Sequence, residues 1–241
     1  MVAEIEKLAR ELRGRNHLEA AGVLTIGAQI ARKLGVPEFL QVEAIKVYPE
    51  ISLEDEWQRQ SHRFVDLGFH KELNLTEEKY FESLPEFTVQ PESFKKGLKS
   101  PLLRETRIPI ERKCQLTKVE YLLRGLSQSD WSNDPQKYKT PDLPYTIWTD
   151  EGARFVDMPV RDVRKELALD ERGGTAADGI DLYIAKPSIL KIRSLDFPGT
   201  SVGAYDAAYL DLWMDVPWLE NRFVGDPAHK SGFGALICSR Q

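Results

Sequence analysis

The sequence predicts an α+β fold, in which a helical first half precedes a region of mixed strands and helices. Apolar residues recur at helical spacing in the first half, whereas short β-type segments separated by turn residues dominate the second. No regular strand–helix alternation of the kind found in nucleotide-binding sheets is visible. We therefore expect a mainly helical region over residues 1–126, a polar loop or linker over 127–144 and an α+β domain over 145–241.

The helices of the first half are predicted from their caps and stops. One helix should begin at Ser52, with Asp55 placed to complete a capping box. Another should run from Thr76 to about Leu84, because a proline follows. Residues 100–126 mix apolar and basic side chains, and their pattern indicates no single structure.

The second half is expected to contain a hairpin, two helices and short antiparallel strands. Tyr145–Trp148 is a β-type run, and Arg154–Val156 would be the returning strand of the hairpin. Helices are predicted over Val160–Ala168 and from Thr175, as N-cap, to Ala185. Strands separated by Gly, Pro and Asp turns then lead to an apolar strand near the end of the chain.

The segment after residue 195 has the composition of a binding surface. Strand alternation places Leu210 and Leu212 on a core face and Tyr209, Asp211 and Trp213 on the opposite face. Aromatic and adaptable polar side chains on a rigid sheet are typical of ligand-binding surfaces. The predicted contact residues are Tyr205, Asp206, Tyr209, Asp211, Trp213, Glu220, Asn221, Arg222, Phe223, Asp226, His229 and Lys230.

Several motifs of the second half resemble those of a family of uncharacterised bacterial proteins. The motifs are PYTIW, LALDERGGTAADGIDLY, FPGTSVG and the terminal GFGALIC. Members of that family typically show PY-x-IW, LAxDERG-x-T, LPGT-x-VG and a terminal Gly-Ser-Ala-Ser-Cys, in this order. The resemblance covers roughly residues 144–240. Two departures are Phe197 before the proline, where the family often has Leu, and the more apolar terminal strand.

The order of elements is also similar to the C-type-lectin fold, and in particular to the variable proteins of diversity-generating retroelements. Those proteins carry a mutable ligand-binding surface on the last strands and loops of that fold. The resemblance implies a C-type-lectin-like domain over residues 145–241 with a diversified surface in its C-terminal strands and loops. Fold analogy alone does not establish a function.

We predict a non-enzymatic recognition protein whose ligand is another protein, with no catalytic, cofactor or metal site. The first alternative is a hydrolase that uses carboxylates of the block formed by Asp170, Glu171, Asp178 and Asp181. The second is a helical scaffold or adaptor that binds its partner through residues 1–126. Residues 130–134 carry oxygen ligands suited to calcium, but their spacing is not that of an EF-hand and a solvated turn is the expected structure.

Charge and hydrophobicity indicate which classes of partner and which location the sequence favours. The formal net charge is -5 and no dense Lys/Arg run occurs, so the sequence does not favour a nucleic-acid partner. The longest apolar stretch is too short to cross a bilayer, and the N-terminus lacks the apolar core of a signal peptide, which predicts a cytoplasmic protein. The pattern does not predict an oligomeric state.

Overall fold

The computed structural model describes residues 52–94, 97–123, 131–133, 140–202, 206–225 and 232–240. Ser52–Gln241 form one compact unit. Residues 1–51, the first part of the region expected to be mainly helical, lie outside the described residues. Within these ranges the fold mixes helices and sheets, as the α+β class requires.

Seven α-helices are present in the described ranges. They are α1 (Leu53–Asp66), α2 (Phe69–Glu72), α3 (Glu77–Glu82), α4 (Ile110–Thr117), α5 (Val160–Glu166), α6 (Ala176–Ala185) and α7 (Ile189–Ile192). Both predicted N-caps are confirmed: Ser52 Oγ accepts from the backbone N–H of Asp55 at 3.0 Å, and Thr175 Oγ1 accepts from that of Asp178 at 3.1 Å. Asp178 in turn accepts from the backbone N–H of Thr175, which completes a capping box. The capping box expected at Ser52 is not completed, because the Asp55 carboxylate accepts from the Ser52 hydroxyl at 2.7 Å.

The strands of the described residues form two sheets. They are β1 (Ser100–Arg104), β2 (Glu120–Tyr121), β3 (Trp131–Asn133), β4 (Tyr145–Thr149), β5 (Glu171–Gly173), β6 (Ser194–Val202), β7 (Asp206–Trp213), β8 (Val216–Phe223), β9 (Phe233–Ala235) and β10 (Ile237–Ser239). The first sheet has the order β1-β4-β10-β5, and the second has the order β2-β8-β7-β6-β3, with β9 paired to β6. Strand pairs are antiparallel except β2 with β8 and β6 with β9.

The strand pairing differs from the predicted hairpin. The returning strand expected at Arg154–Val156 is wrong, because Val156 forms only an isolated bridge with Gly234. β4 pairs instead with β1 and β10, so its partners come from distant parts of the chain. The polar segment expected to be a loop also contributes β3, which pairs with the end of β6.

Most buried apolar residues belong to one large core. It joins Phe64 of α1, Cys114 of α4, Ile180 of α6, Leu102 of β1 and Leu210 of β7. A smaller cluster lies around α5, β9 and β10, and consists of Leu98, Trp148, Val163, Ala235 and Ile237. The helices therefore cover one face of the C-terminal strands and hold it rigidly.

A buried ion-pair network runs through the same region. The guanidinium of Arg104 contacts Asp178 through Nε at 2.7 Å and Asp181 through Nη1 at 2.9 Å, and all three side chains are buried. Arg172 reaches Asp178 at 2.5 Å, and Lys113 reaches Asp181 at 2.6 Å. These contacts link β1, α4, β5 and α6.

The two carboxylates of the network respond differently to burial. Burial alone would raise the pKa of Asp178, but the charges of Arg104 and Arg172 outweigh it and hold that pKa well below its usual range. Burial raises the pKa of Asp181, and Lys113 and Arg104 offset this only in part. Asp178 is therefore the firmly ionised centre of the network.

Substitution Asp178→Asn tests the structural weight of this network. It would leave Arg104 and Arg172 buried with one negative charge fewer, so we expect the free energy of unfolding to fall by about 3 kcal/mol. Urea unfolding followed by circular dichroism measures the change. Asp162→Asn is the matched control, because Asp162 forms its ion pair with Lys165 at the surface and should have little effect. Equal stability of both variants would contradict this role.

Candidate functional site

The hairpin of β7 and β8 carries all of the predicted contact residues that the structure describes. Leu210 lies opposite Leu219, and Tyr209 lies opposite Glu220. Opposite residues project from the same face of a sheet, and Leu210 and Leu219 are buried in the core. The other side of the hairpin, here called the outer face, carries Tyr209, Asp211, Trp213, Val216, Trp218, Glu220 and Arg222. This agrees with the alternation predicted from the sequence.

Three predicted contact residues belong to the opposite side. Asp206 lies opposite Phe223, and Asn221 lies opposite Ala208, so these positions share the face of the buried leucines. Asn221 Nδ2 donates a hydrogen bond to Asp206 Oδ2 at 2.7 Å. Only the strand end at Phe223 is open to solvent on this side.

One end of the outer face is a closed polar and aromatic cluster. The guanidinium of Arg222 pairs with the buried carboxylate of Asp196 on β6. It also lies 4.3 Å from the ring centroid of Phe233 and 6.0 Å from that of Tyr209. The Tyr209 hydroxyl donates to Glu220 at 2.7 Å. These contacts orient Arg222 inward, so its charge serves the sheet rather than an external ligand.

Burial within this cluster disfavours the ionised form of the Asp196 carboxyl group. Burial raises its pKa to about 6, and the charge and hydrogen bond of Arg222 oppose this only in part. Its Oδ1 atom has no hydrogen-bond partner among the described residues. Asp196 was not among the predicted contact residues, because its strand position alone does not indicate an inward carboxylate.

The other end of the outer face is open. Trp213 is 46% exposed, Met214 is 82% exposed and Val216 is 39% exposed. The rings of Trp213 and Trp218 lie 6.2 Å apart. We call Trp213, Met214, Asp215, Val216 and Trp218 the tip surface. Its exposed apolar side chains are adjacent to one another, as in a protein-contacting patch.

The turn that joins the two strands has an unusual backbone. Trp213 pairs with Val216, so Met214 and Asp215 form a two-residue turn, with φ values of 48° and 63°. Two-residue hairpin turns with two positive φ values favour Asn-Gly, and a methionine in this conformation is uncommon. The chain therefore holds a large apolar side chain at a strained, exposed position.

Of the remaining predicted contact residues, one is described by the structure and four lie outside the described residues. Asp211 accepts hydrogen bonds from the Ser194 hydroxyl and from the backbone N–H of Leu212, and it is half-buried. Tyr205, Asp226, His229 and Lys230 lie outside the described residues. The sequence pattern missed Met214 and Val216, although the two tryptophans that flank them in sequence indicated an aromatic surface.

Three of the four carboxylates considered for a hydrolase, those of Glu171, Asp178 and Asp181, serve structural contacts. Asp178 and Asp181 converge on Arg104 within the buried network. Glu171 forms a two-point ion pair with Arg154, at 2.5 and 2.6 Å. A general acid must be able to exchange its proton with a substrate, and cationic partners hold these groups in place. This arrangement favours a structural role for the block.

A cavity of about 330 Å³ lies beside the network. Its charged walls are Arg104, Glu105, Glu111 and Lys113. Lys113 donates to the backbone carbonyl of Glu105 and to Asp181, and the carboxylate of Glu105 accepts from Arg107 at 2.6 to 2.9 Å. The charged groups are thus occupied by contacts within the chain.

The described ranges contain neither a metal-ligand cluster nor a membrane-spanning helix. No group of three or more His, Cys, Asp or Glu side chains there could hold a metal ion. Of the residues considered for calcium, 131–133 form strand β3, and the others lie outside the described residues. No helix within those ranges is both long and apolar enough to cross a bilayer.

Comparison of the chain with protein family models, curated proteins and solved structures finds no match in any of the three.

The raised pKa of Asp196 makes a testable prediction about stability and pH. Its pKa changes from about 6 in the folded protein to the ordinary aspartate value of 3.8 on unfolding, so the folded state holds more protons between these values. The free energy of unfolding of the wild-type chain therefore falls as the pH rises through that range. A variant with Asn at this position lacks the effect, because Asn does not titrate. From pH 4.5 to 7.5, Asp196→Asn should gain about 2 kcal/mol in unfolding free energy relative to wild type. Urea unfolding at each pH measures this difference, and a constant difference would contradict the raised pKa.

Proposed function

We propose that this chain is a non-enzymatic recognition protein that binds another protein through the outer face of β7 and β8, centred on the tip surface. The observation that carries the proposal is the exposure of Trp213, Met214 and Val216 around a strained turn. Exposed apolar patches on folded proteins mark interaction sites, and tryptophan is among the residues that contribute most to binding energy.

Backbone strain supports the same conclusion. A residue in an unfavourable conformation persists where the surrounding structure enforces it, and such residues cluster at functional sites. At Met214 the flanking strands enforce the turn, and the side chain projects into solvent rather than into a core. We infer that the side chain serves contact with a ligand.

The proposal includes a C-type-lectin-like domain in the second half of the chain. The order of β4, α5, α6 and then β6–β10 supports this part, because it follows the predicted succession of strand, two helices and terminal strands. The position of the contact surface on the last long strands also agrees with the resemblance to variable proteins. The returning strand of the hairpin predicted at β4 is the one element of this succession that the structure does not contain at residues 154–156.

Substitution Met214→Asn separates stability from binding. Asn tolerates a positive φ better than Met, so we expect the free energy of unfolding to rise by about 1 kcal/mol. Ligand binding should weaken, because the exposed apolar side chain is lost. Thermal unfolding and a binding titration on the same sample measure both effects. A less stable variant with unchanged affinity would contradict the role given to this turn.

The proposed binding surface is tested by selection from a random peptide library displayed on phage. Peptides selected on the wild-type chain should lose binding to Trp213→Ser, because this substitution removes an exposed ring from the tip surface. Glu166→Gln is the matched control, since Glu166 is exposed at the end of α5 and is not part of the hairpin. Circular dichroism of the three proteins establishes that each is folded.

If all selected peptides bind the Trp213→Ser variant as well as they bind the wild-type chain, the outer face is not the binding surface. The proposal then fails irrespective of the chemistry of the peptides.

A further inference from the structure

The turn between β7 and β8 presents a methionine side chain to solvent within the tip surface. We propose that Met214 is a reversible oxidation site, and that its conversion to the sulfoxide by hydrogen peroxide weakens binding of the partner protein. The proposal rests on the proposed function, because the surface that oxidation would regulate is the one assigned to partner binding.

The four sulfur-containing residues of the described ranges differ in their access to solvent. They are Cys114, Met158, Met214 and Cys238. Both cysteines are buried, and Met158 is partly buried against the smaller apolar cluster around α5. Met214, by contrast, is 82% exposed. Because the oxidation of sulfur follows its exposure, Met214 is the preferred target among these four residues.

The two thiols are poor competitors of Met214 for peroxide. A cysteine reacts as its thiolate, so its reactivity falls when its pKa is raised. Burial raises the pKa of the Cys114 thiol to about 12, and burial also raises the pKa of the Cys238 thiol. Both groups therefore remain protonated at neutral pH, and both are enclosed by the fold.

Oxidation of the Met214 thioether needs only hydrogen peroxide as co-reactant. The sulfur atom attacks one peroxide oxygen, so an S–O bond forms while the O–O bond breaks. The hydroxide that leaves takes up the proton of the transferred oxygen, and water is released. Sulfur thereby loses an electron pair and the peroxide gains it. A thiol-dependent methionine sulfoxide reductase reverses the step, with water and a disulfide as the other products.

Oxidation at this turn changes the contact surface and leaves the fold in place. Met214 forms the turn with Asp215, and its side chain projects into solvent rather than into a core. In the free chain the sulfoxide is therefore hydrated, and no packing is lost. In a complex the polar S–O group would be buried among the apolar side chains of the tip surface, and burial of an unpaired polar group is unfavourable. Oxidation therefore weakens binding without unfolding the chain.

The test measures oxidation and binding on the same sample of the full chain. The chain is treated with dilute hydrogen peroxide and desalted before a library-selected peptide that depends on Trp213 is added. Peptide mapping by mass spectrometry should show that Met214 is oxidised about tenfold faster than Met158. Isothermal titration calorimetry should show that oxidation weakens peptide binding about tenfold. The initial affinity should return after treatment with a methionine sulfoxide reductase and a thiol.

Two matched variants identify the sulfur atom that is responsible. Leucine is close to methionine in volume and lacks sulfur, so each variant is compared with itself before and after peroxide treatment. The affinity of Met214→Leu for the peptide should not change on treatment, whereas Met158→Leu should lose affinity as the wild-type chain does. Circular dichroism of the treated wild-type chain should match that of the untreated chain. An equal loss of affinity in both variants would overturn the inference.

Failure of this inference is distinguishable from failure of the proposed function. If peptides that depend on Trp213 bind the oxidised and the reduced chain with equal affinity, the recognition surface stands and its regulation by oxidation is wrong. If Met158 is oxidised as fast as Met214, the selectivity is wrong and the inference fails. If no selected peptide depends on Trp213, the proposed function itself is wrong and the inference fails with it.

Discussion

The contact of Arg104 with both Asp178 and Asp181 is the constraint on which the described fold depends most. These buried groups bring together β1, β5, α4 and α6, which are distant in the sequence. Buried charges are costly unless they are paired in a well-defined geometry, so the network permits little displacement of these elements. The capping box at Thr175 uses the same Asp178 carboxylate, which couples the start of α6 to the ion pairs. The helices can thus support the long C-terminal strands in one position.

This support explains the division of the β7–β8 hairpin into two faces. Leu210 and Leu219 anchor the inner face in the core, so the opposite side chains are held in a fixed pattern. Along that outer face, Arg222 is enclosed by its contacts, whereas Trp213 and Met214 are open to solvent. A rigid sheet with exposed aromatic side chains loses little conformational entropy on binding, because the surface is already arranged. The proposed recognition surface combines this fixed scaffold with an exposed apolar tip.

Local rules predicted the elements that depend on local contacts. The caps at Ser52 and Thr175 and the alternation around Leu210 follow from neighbouring residues, and each is present. The pairing of the strands could not be predicted from the sequence in the same way, because no local pattern identifies the partners of β4. The Arg104 network depends on the same long-range pairing. Single-sequence patterns indicated a surface at Tyr209, Asp211 and Trp213, but they did not separate the enclosed end of the hairpin from its open tip.

Hydroxyl-radical footprinting of the full chain, with and without a peptide selected on the wild-type protein, tests the central claim most directly. The method measures oxidation at individual side chains, and tryptophan and methionine are sensitive reporters. We expect the peptide to protect Trp213, Met214 and Trp218, while Trp57, which donates to the Pro85 carbonyl away from the hairpin, remains unchanged. Protection at Trp57 alone, or protection spread evenly over these reporters, would contradict a binding surface at the tip of the hairpin.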